Sequence, residues 1–444
     1  MSMSLPGGRY KRLSLVVALN LLLVQATGLS NNVSARLEAQ ATCGAWAIVP
    51  TSGTPVEAGR LEAVAATSAS NVWVIRTASE QSDRVARWDG TGWSEELHPQ
   101  PGTLFNDFQA IAASPDGDAW IVGAYSSSRV TRPSMAETST LTARLQGGRW
   151  KLVPSPNLPA RAQSYLVGVA PIGPDDVLAV GNAGGEDILL RWNGTEWVLV
   201  PGPGTAQGGY LFDVAGAAPD DAWAVGAYTT DRGSQAARIL HWDGSTWEQV
   251  ASPDVASSEY NLQGVAALSA TDAWAVGTRN DNGRTLTLIE HWDGRDWTVV
   301  PSPNTSQPEN ALHRVVAAAP DNVWAVGRSG IGGDAQPLML HWNGSAWNTV
   351  ALPRVSARFA ELVSVEVVPG SGEVWAVGAS ADENSRERAL AMRYVPCVAG
   401  EGSGGGVIPG MPSTGAEGSR TPTVWSIVSI FYDFIGAILA LPRH

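Results

Sequence analysis

The chain has 444 residues, 44% hydrophobic and only 16% charged, and so little charge argues against a disordered chain. The net charge of -13 excludes a nucleic-acid partner, which needs a basic face. Gly (48), Pro (28) and an unusual 19 Trp point to a turn-rich, all-β protein rather than a helical one. In chain order, residues 1–26 read as a secretion signal: Arg9, Lys11 and Arg12 are followed by an apolar stretch from Leu13 to Val24, with Val24-Gln25-Ala26 as the cleavage site. The apolar stretch is too short to span a bilayer, although an N-terminal anchor is the alternative. Residues 27–42 form a short segment ahead of the first folded unit.

Internal repetition dominates residues 43–397. A segment of the Asp-Ala-Trp-Ala-Val-Gly type recurs at Trp73, Trp120, Leu178, Trp223, Trp274, Trp324 and Trp375. A second marker, His-Trp-Asp-Gly-x-x-Trp, is clearest at Trp242 to Trp247 and Trp292 to Trp297, and degenerates to Leu145–Trp150 in the second unit. Asp-Gly or Asn-Gly between apolar runs signals a hairpin, because Gly accepts positive φ. Each unit therefore reads as four short strands; in the fifth they fall near 262–267, 273–278, 285–292 and 296–300. Seven such units of about 50 residues predict a seven-bladed β-propeller of four-stranded antiparallel blades. Eighteen Trp keep fixed places in the unit, Trp425 being the exception, which marks them as wedges between sheets. His241, His291 and His341 occupy one equivalent place in successive blades, too far apart in a ring to share an ion, so no metal or other cofactor is expected.

The seventh unit lacks its last strand. The segment Trp46-Ala47-Ile48-Val49 matches the outer strand at Trp247, so the N-terminal strand is predicted to close the ring. Tyr394 then aligns with Trp242 and Trp46 with Trp247, which brings Cys43 and Cys397, the two cysteines of the chain, to the broken turn. A disulfide between them is predicted, and export permits it.

On these repeats the chain resembles the kelch and galactose-oxidase-type propellers over residues 43–397. The double Gly of the kelch unit is absent and a single Gly, as at Gly226 and Gly277, stands in its place. No ligand set for a copper centre can be matched, so the resemblance implies architecture and not oxidase chemistry. The Asp243-Gly244-Ser245-Thr246-Trp247 turn is also loosely similar to the Asp-box of sialidase-type propellers, which has one more residue between Asp and Gly.

Turns on one face of the ring have nearly fixed length, whereas the connections on the other vary, the longest running from Ala124 to Thr140. Loops on a rigid scaffold usually carry recognition, so a ligand is expected on the variable face. Phe105, Tyr165, Tyr210, Tyr260 and Phe359 cluster near the inner strands there, and Tyr125 and Tyr228 follow second strands. They would either stack on a sugar or plug the channel mouth. Within the inner strand, one aligned position reads Ala63, Ala110, Gly168, Asp213, Gly264, Arg314 and Ser364, and Asp213 and Arg314 stand out as polar candidates. The position before it includes Glu62 and His313. A hydrolase would need two carboxylates near the axis, and Asp213, Glu62, Asp107 and Glu361 are the candidates. No nucleophile motif or phosphate loop appears, so a non-catalytic binding module for polysaccharide or protein is expected, with a carbohydrate-active hydrolase or lyase as the alternative and a mainly structural envelope protein as a third reading.

Residues 398–423 are rich in Gly, Ser and Pro and read as a linker. Within them lies Met411-Pro412-Ser413-Thr414-Gly415, followed by the mostly apolar run Val424 to Leu441 and a basic end. This order resembles a sortase sorting signal, which implies cleavage between Thr414 and Gly415 and attachment to the cell envelope. Met411 in place of Leu, and Asp433 within the apolar run of 424–444, depart from that pattern and leave a plain membrane tail as the alternative. Both readings place the folded part outside the cell.

Overall fold

The computed structural model describes residues 43–397 apart from 78–82, 115, 128–136, 159–162, 174, 205–208, 254, 256, 258 and 383. The secretion signal, the linker, Thr414, Gly415 and the apolar tail lie outside the described residues. Among the described residues no helix is long and apolar enough to cross a membrane.

Seven four-stranded antiparallel sheets make a ring. Blade 1 holds β2 (Arg60–Ser68), β3 (Asn71–Thr77), β4 (Arg84–Trp88) and β5 (Trp93–Glu96). Blade 2 holds β6 (Phe105–Ala113), β7 (Ala119–Ser126), β8 (Ser139–Gln146) and β9 (Arg149–Leu152). Blade 3 holds β10 (Ser164–Gly173), β11 (Asp176–Ala183), β12 (Glu186–Trp192) and β13 (Trp197–Leu199). Blade 4 holds β14 (Gly209–Ala218), β15 (Asp221–Thr229), β16 (Gln235–Trp242) and β17 (Trp247–Val250). Blade 5 holds β18 (Tyr260–Ser269), β19 (Asp272–Asp281), β20 (Arg284–Trp292) and β21 (Trp297–Val299). Blade 6 holds β22 (Asn310–Ala319), β23 (Asn322–Ser329), β24 (Gln336–Trp342) and β25 (Trp347–Thr349). Blade 7 joins β26 (Phe359–Val367), β27 (Val374–Ala381) and β28 (Glu387–Tyr394) to β1 (Trp46–Ile48) from the other end of the chain.

The closing strand pairs in the predicted register: Trp46 faces Tyr394 as Trp247 faces Trp242. Cys43 and Cys397 form a disulfide, with Cα atoms 4.7 Å apart and 354 residues apart in sequence. In the intact blades the same place is a tight turn. In blade 4, Asp243 Oδ1 accepts the N–H groups of Ser245 and Thr246, both at 2.8 Å, while Gly244 takes a φ of 93°. Only Gly adopts that backbone without cost, so blade 7 replaces a glycine turn by a covalent bridge.

The Trp wedges are aromatic trios between neighbouring blades. Trp120 of blade 2 packs on Trp192 and Trp197 of blade 3, both with ring centroids 5.2 Å away. Trp223 meets Trp292 and Trp297, and Trp375 returns the pattern to Trp88 and Trp93 of blade 1. Tilted and edge-on rings at these distances gain packing beyond simple burial. The third-strand His or Arg covers the same Trp and meets a polar residue at the start of the second strand. His241 lies 4.3 Å from the Trp223 ring and 2.8 Å from Asp221, and Arg393 lies over Trp375 and pairs with Glu373 at 2.8 Å. The three aligned histidines are therefore engaged separately, each within its own blade.

Candidate functional site

Every inner strand carries a β-bulge at the same place. Pairing with the second strand slips after Leu61, Phe108, Leu166, Leu211, Leu262, Leu312 and Leu362, which leaves Glu62, Gln109, Val167, Phe212, Gln263, His313 and Val363 without a ladder partner. A bulge re-aims side chains locally. The residue before the slip matters as well, because residues two apart share a face of a strand. Glu62 accordingly accepts from Arg60 at 3.1 Å, Asp107 accepts from Gln109 at 2.6 Å, and Asn261 accepts from Gln263 at 2.9 Å. The buried Leu or Phe between each pair faces the core. In six blades the second strand answers the bulge with a glycine; a Cβ on Gly226 would collide with the carbonyl oxygen of Tyr210. Blade 1 has Arg76 there, and its pairing ends one step further on, at Arg60 and Thr77.

The bulge lies near the start of each inner strand, on the face of the variable connections. Around the ring the pairs read Arg60/Glu62, Asp107/Gln109, Tyr165/Val167, Tyr210/Phe212, Asn261/Gln263, Ala311/His313 and Glu361/Val363. Chemistry is segregated between blades. Blades 6, 7, 1 and 2 form a charged arc, blades 3 and 4 an aromatic arc, and blade 5 supplies two amides. Val167, Phe212, His313 and Val363 are buried and fill the throat, whereas Arg60, Asp107, Tyr165, Tyr210 and Asn261 are half-buried around the mouth.

The charged arc is continuous across blades. Arg60 reaches Glu361 at 2.5 Å, Glu361 lies 3.8 Å from both His313 and Arg328, and Arg328 lies 3.6 Å from Glu309. Burial, then the cations Arg328, Arg60 and Arg314, hold His313 well below the usual imidazole range, so it is neutral. On the other side Thr77 donates to Glu62 at 2.8 Å, and the backbone N–H of Phe108 donates to Asp83 at 2.8 Å. Burial, then the neighbouring Asp107 carboxylate, pushes Asp83 upward; burial likewise raises Asp107 and Glu62. Two close carboxyls in a poorly solvated place cannot both ionise cheaply, so the Asp83–Asp107 pair retains a proton.

Phe105, Tyr165, Tyr210, Tyr260 and Phe359, expected near the inner strands, are the first or second residues of β6, β10, β14, β18 and β26, but they do not share one register. Tyr165 and Tyr210 share the register just before the buried Leu, and burial, then the neighbouring Tyr210, holds the Tyr165 phenol above its usual range. Tyr260 sits one residue earlier, and Phe105 and Phe359 one residue earlier again, so the five do not form one ring. Tyr125 and Tyr228 lie near the far ends of β7 and β15, opposite Asn106 and Gly209. Asp213 and Arg314 follow the bulge and are buried in the seams between blades: Asp213 accepts the Val265 N–H at 3.0 Å, and Arg314 donates to the carbonyls of Gln263 and His313. They tie blades together and are not displayed at the mouth. Asp83 and Arg328 escaped the sequence reading because neither is on an inner strand.

The buried acids fix a pH dependence. Burial raises Asp213 to about 7 and Glu290 to about 8, so between about pH 4 and 8 the folded state holds protons that the unfolded chain has released. That contribution is full below the unfolded carboxyl value and is lost as pH rises through 7 and 8. Burial lowers His341 to about 4, which works in the opposite sense below about pH 6.5, where the unfolded chain takes up the proton first. Melting temperature is therefore expected to be higher near pH 6 than at pH 9, with the alkaline fall reduced in Glu290→Gln. A melting temperature that climbs from pH 6 to 9 would contradict this assignment.

Among the described residues, no group of three or more His, Cys, Asp or Glu is placed to hold a metal ion. No family model and no curated protein matches the chain. Among solved structures, YCF48 bound to D1 peptide is similar over 81% of this chain and 98% of its own, at 13% identity and a TM-score of 0.51. An ulvan lyase, described as a polysaccharide lyase, aligns over 77% of this chain and 94% of its own, at 10% identity and a TM-score of 0.47. The fucose-specific lectin from Aleuria aurantia aligns over 67% and 97%, at 14% identity and a TM-score of 0.41. At these identities the likeness is one of fold.

Proposed function

We propose that this chain is an exported propeller, held at the cell surface through residues 398–444, that binds carbohydrate without catalysis at the mouth on its variable-loop face. One observation carries the reading: the shared bulge brings half-buried Tyr165 and Tyr210 beside an arc of Arg, Asp and Glu and a pair of amides. A sugar needs this combination, because its C–H faces stack on aromatic rings and its hydroxyls take directed hydrogen bonds. A protein ligand is the other occupant the mouth could take. The propellers named above are described as a peptide binder, a polysaccharide lyase and a fucose lectin. Those descriptions belong to them, and the reading here rests on the mouth itself.

The test is retention of the full chain on a polysaccharide panel, with released sugar recorded in parallel. Retention without product is expected, and Tyr165→Ala with Tyr210→Ala should weaken it by more than about tenfold. Retention unchanged by that double variant would overturn the assignment of the mouth. The Asp83–Asp107 pair favours a second reading, since a carboxyl that keeps its proton beside an ionisable partner is what a general acid requires. Product release that disappears in Asp83→Asn would make the chain a carbohydrate-active enzyme.

A further inference from the structure

Resting on the reading of the chain as exported, we propose that Asn193 and Asn343 carry N-linked sugar on the face of the ring opposite the mouth. The sequence Asn-x-Ser/Thr is the acceptor pattern for that modification in exported chains, and among the described residues it occurs at Asn193, Asn304 and Asn343. Asn193 and Asn343 open the tight turns between β12 and β13 of blade 3 and between β24 and β25 of blade 6. These turns need one acceptor oxygen. In blades 1, 4 and 5 a carboxylate supplies it: Asp89, Asp243 and Asp293 each accept the backbone N–H groups two and three residues on. In blades 3 and 6 an amide supplies the same oxygen, Asn193 to Thr195 and Glu196 at 3.0 Å, and Asn343 to Ser345 and Ala346 at 3.1 and 3.0 Å. An amide satisfies such a turn with its oxygen and leaves its nitrogen over. Neither nitrogen has a hydrogen-bond partner among the described residues.

Exposure and a neighbouring hydroxyl separate these two from the third. Asn193, Thr195 and Glu196 are exposed, as are Gly344, Ser345 and Ala346 around Asn343. Thr195 Oγ1 donates to Asn193 Oδ1 at 2.7 Å, and Ser345 Oγ donates to Asn343 Oδ1 at 2.8 Å. The turn itself does not require that hydroxyl, because Arg295 holds the same place in blade 5. A donor on the amide oxygen draws charge onto it and makes the amide N–H easier to give up. Asn304 differs: its Oδ1 accepts the Thr287 N–H at 2.9 Å and its Nδ2 donates to the Ser302 carbonyl at 3.3 Å. Both ends of that amide are engaged, so it is expected to stay bare. In the transfer, the amide nitrogen attacks the anomeric carbon of a sugar activated as a phosphate or pyrophosphate ester. A C–N bond forms, the C–O bond to the phosphate breaks with its electron pair leaving on the phosphate, and the amide gives one proton to a base on the transferring enzyme.

Peptide mapping of the full chain recovered from the surface of its own cells tests this, before and after an amidase that removes N-linked sugar and leaves aspartate. Sugar is expected on Asn193 and Asn343 and not on Asn304. Asn193→Asp and Asn343→Asp keep the turn oxygen, as Asp243 does in blade 4, so each should melt like the parent and lose the added mass of its own site. Thr195→Ala should lose the sugar of Asn193 alone. Either of the two asparagines found bare in the surface chain, or sugar on Asn304, would overturn the proposal while the export reading stands. A chain absent from the cell exterior would overturn both.

Discussion

Replacing Cys43 and Cys397 together with serine is expected to cost the propeller as much as about 5–6 kcal/mol, the chain-entropy value for a loop this long and an upper limit. The bridge spans 354 residues, so it constrains nearly the whole unfolded ring. It also guards a weak point, because β1 is three residues long and is the one outer strand not joined to its neighbour by a turn. Denaturant unfolding of the oxidised protein and the double variant measures the cost. The blade 7 amides near Trp46 and Tyr394 should lose hydrogen-exchange protection first. A variant within about 1 kcal/mol of the parent would show that β1 pairing closes the ring unaided.

Trp274→Ala should destabilise the ring by about 3–5 kcal/mol, the usual range for emptying a buried Trp site. Its ring packs on Trp342 at 5.0 Å and Trp347 at 5.4 Å across the seam, and on His291 at 4.1 Å within its own blade. Neighbours belonging to two rigid sheets cannot collapse into the space. Leu178 holds the equivalent place in blade 3, so Trp274→Leu should recover part of the loss. Thermal or denaturant melts of the three proteins decide this; a loss below about 1 kcal/mol in the alanine variant would mean that the trios fill space without binding blades together.

The ring was legible in the sequence because its determinants are local and repeated. Asx-Gly turns, periodic Trp and the spare N-terminal strand fix blade number, register and the disulfide without knowledge of side-chain contacts. The mouth was legible only in part. Its signal is present as the odd spacing of two buried residues in each inner strand, such as Leu211 and Val214 or Leu262 and Val265. Strict alternation puts residues three apart on opposite faces, so two buried residues at that spacing require one extra residue between them. Without the bulge, Tyr260 and Phe359 appear equivalent to Tyr210, and Asp213 appears displayed when it is buried. Asp83 and Arg328 reach the site from outside the inner strands, through contacts that no repeat alignment contains.

Hydrogen exchange of the full chain, with and without the oligosaccharide it retains best, tests the central claim most directly. The account predicts added protection at the starts of β6, β10 and β14, around Asp107, Tyr165 and Tyr210, with the turns at Asp243 and Asp293 unchanged. Protection confined to those turns, or repeated equally at all seven seams, would contradict it.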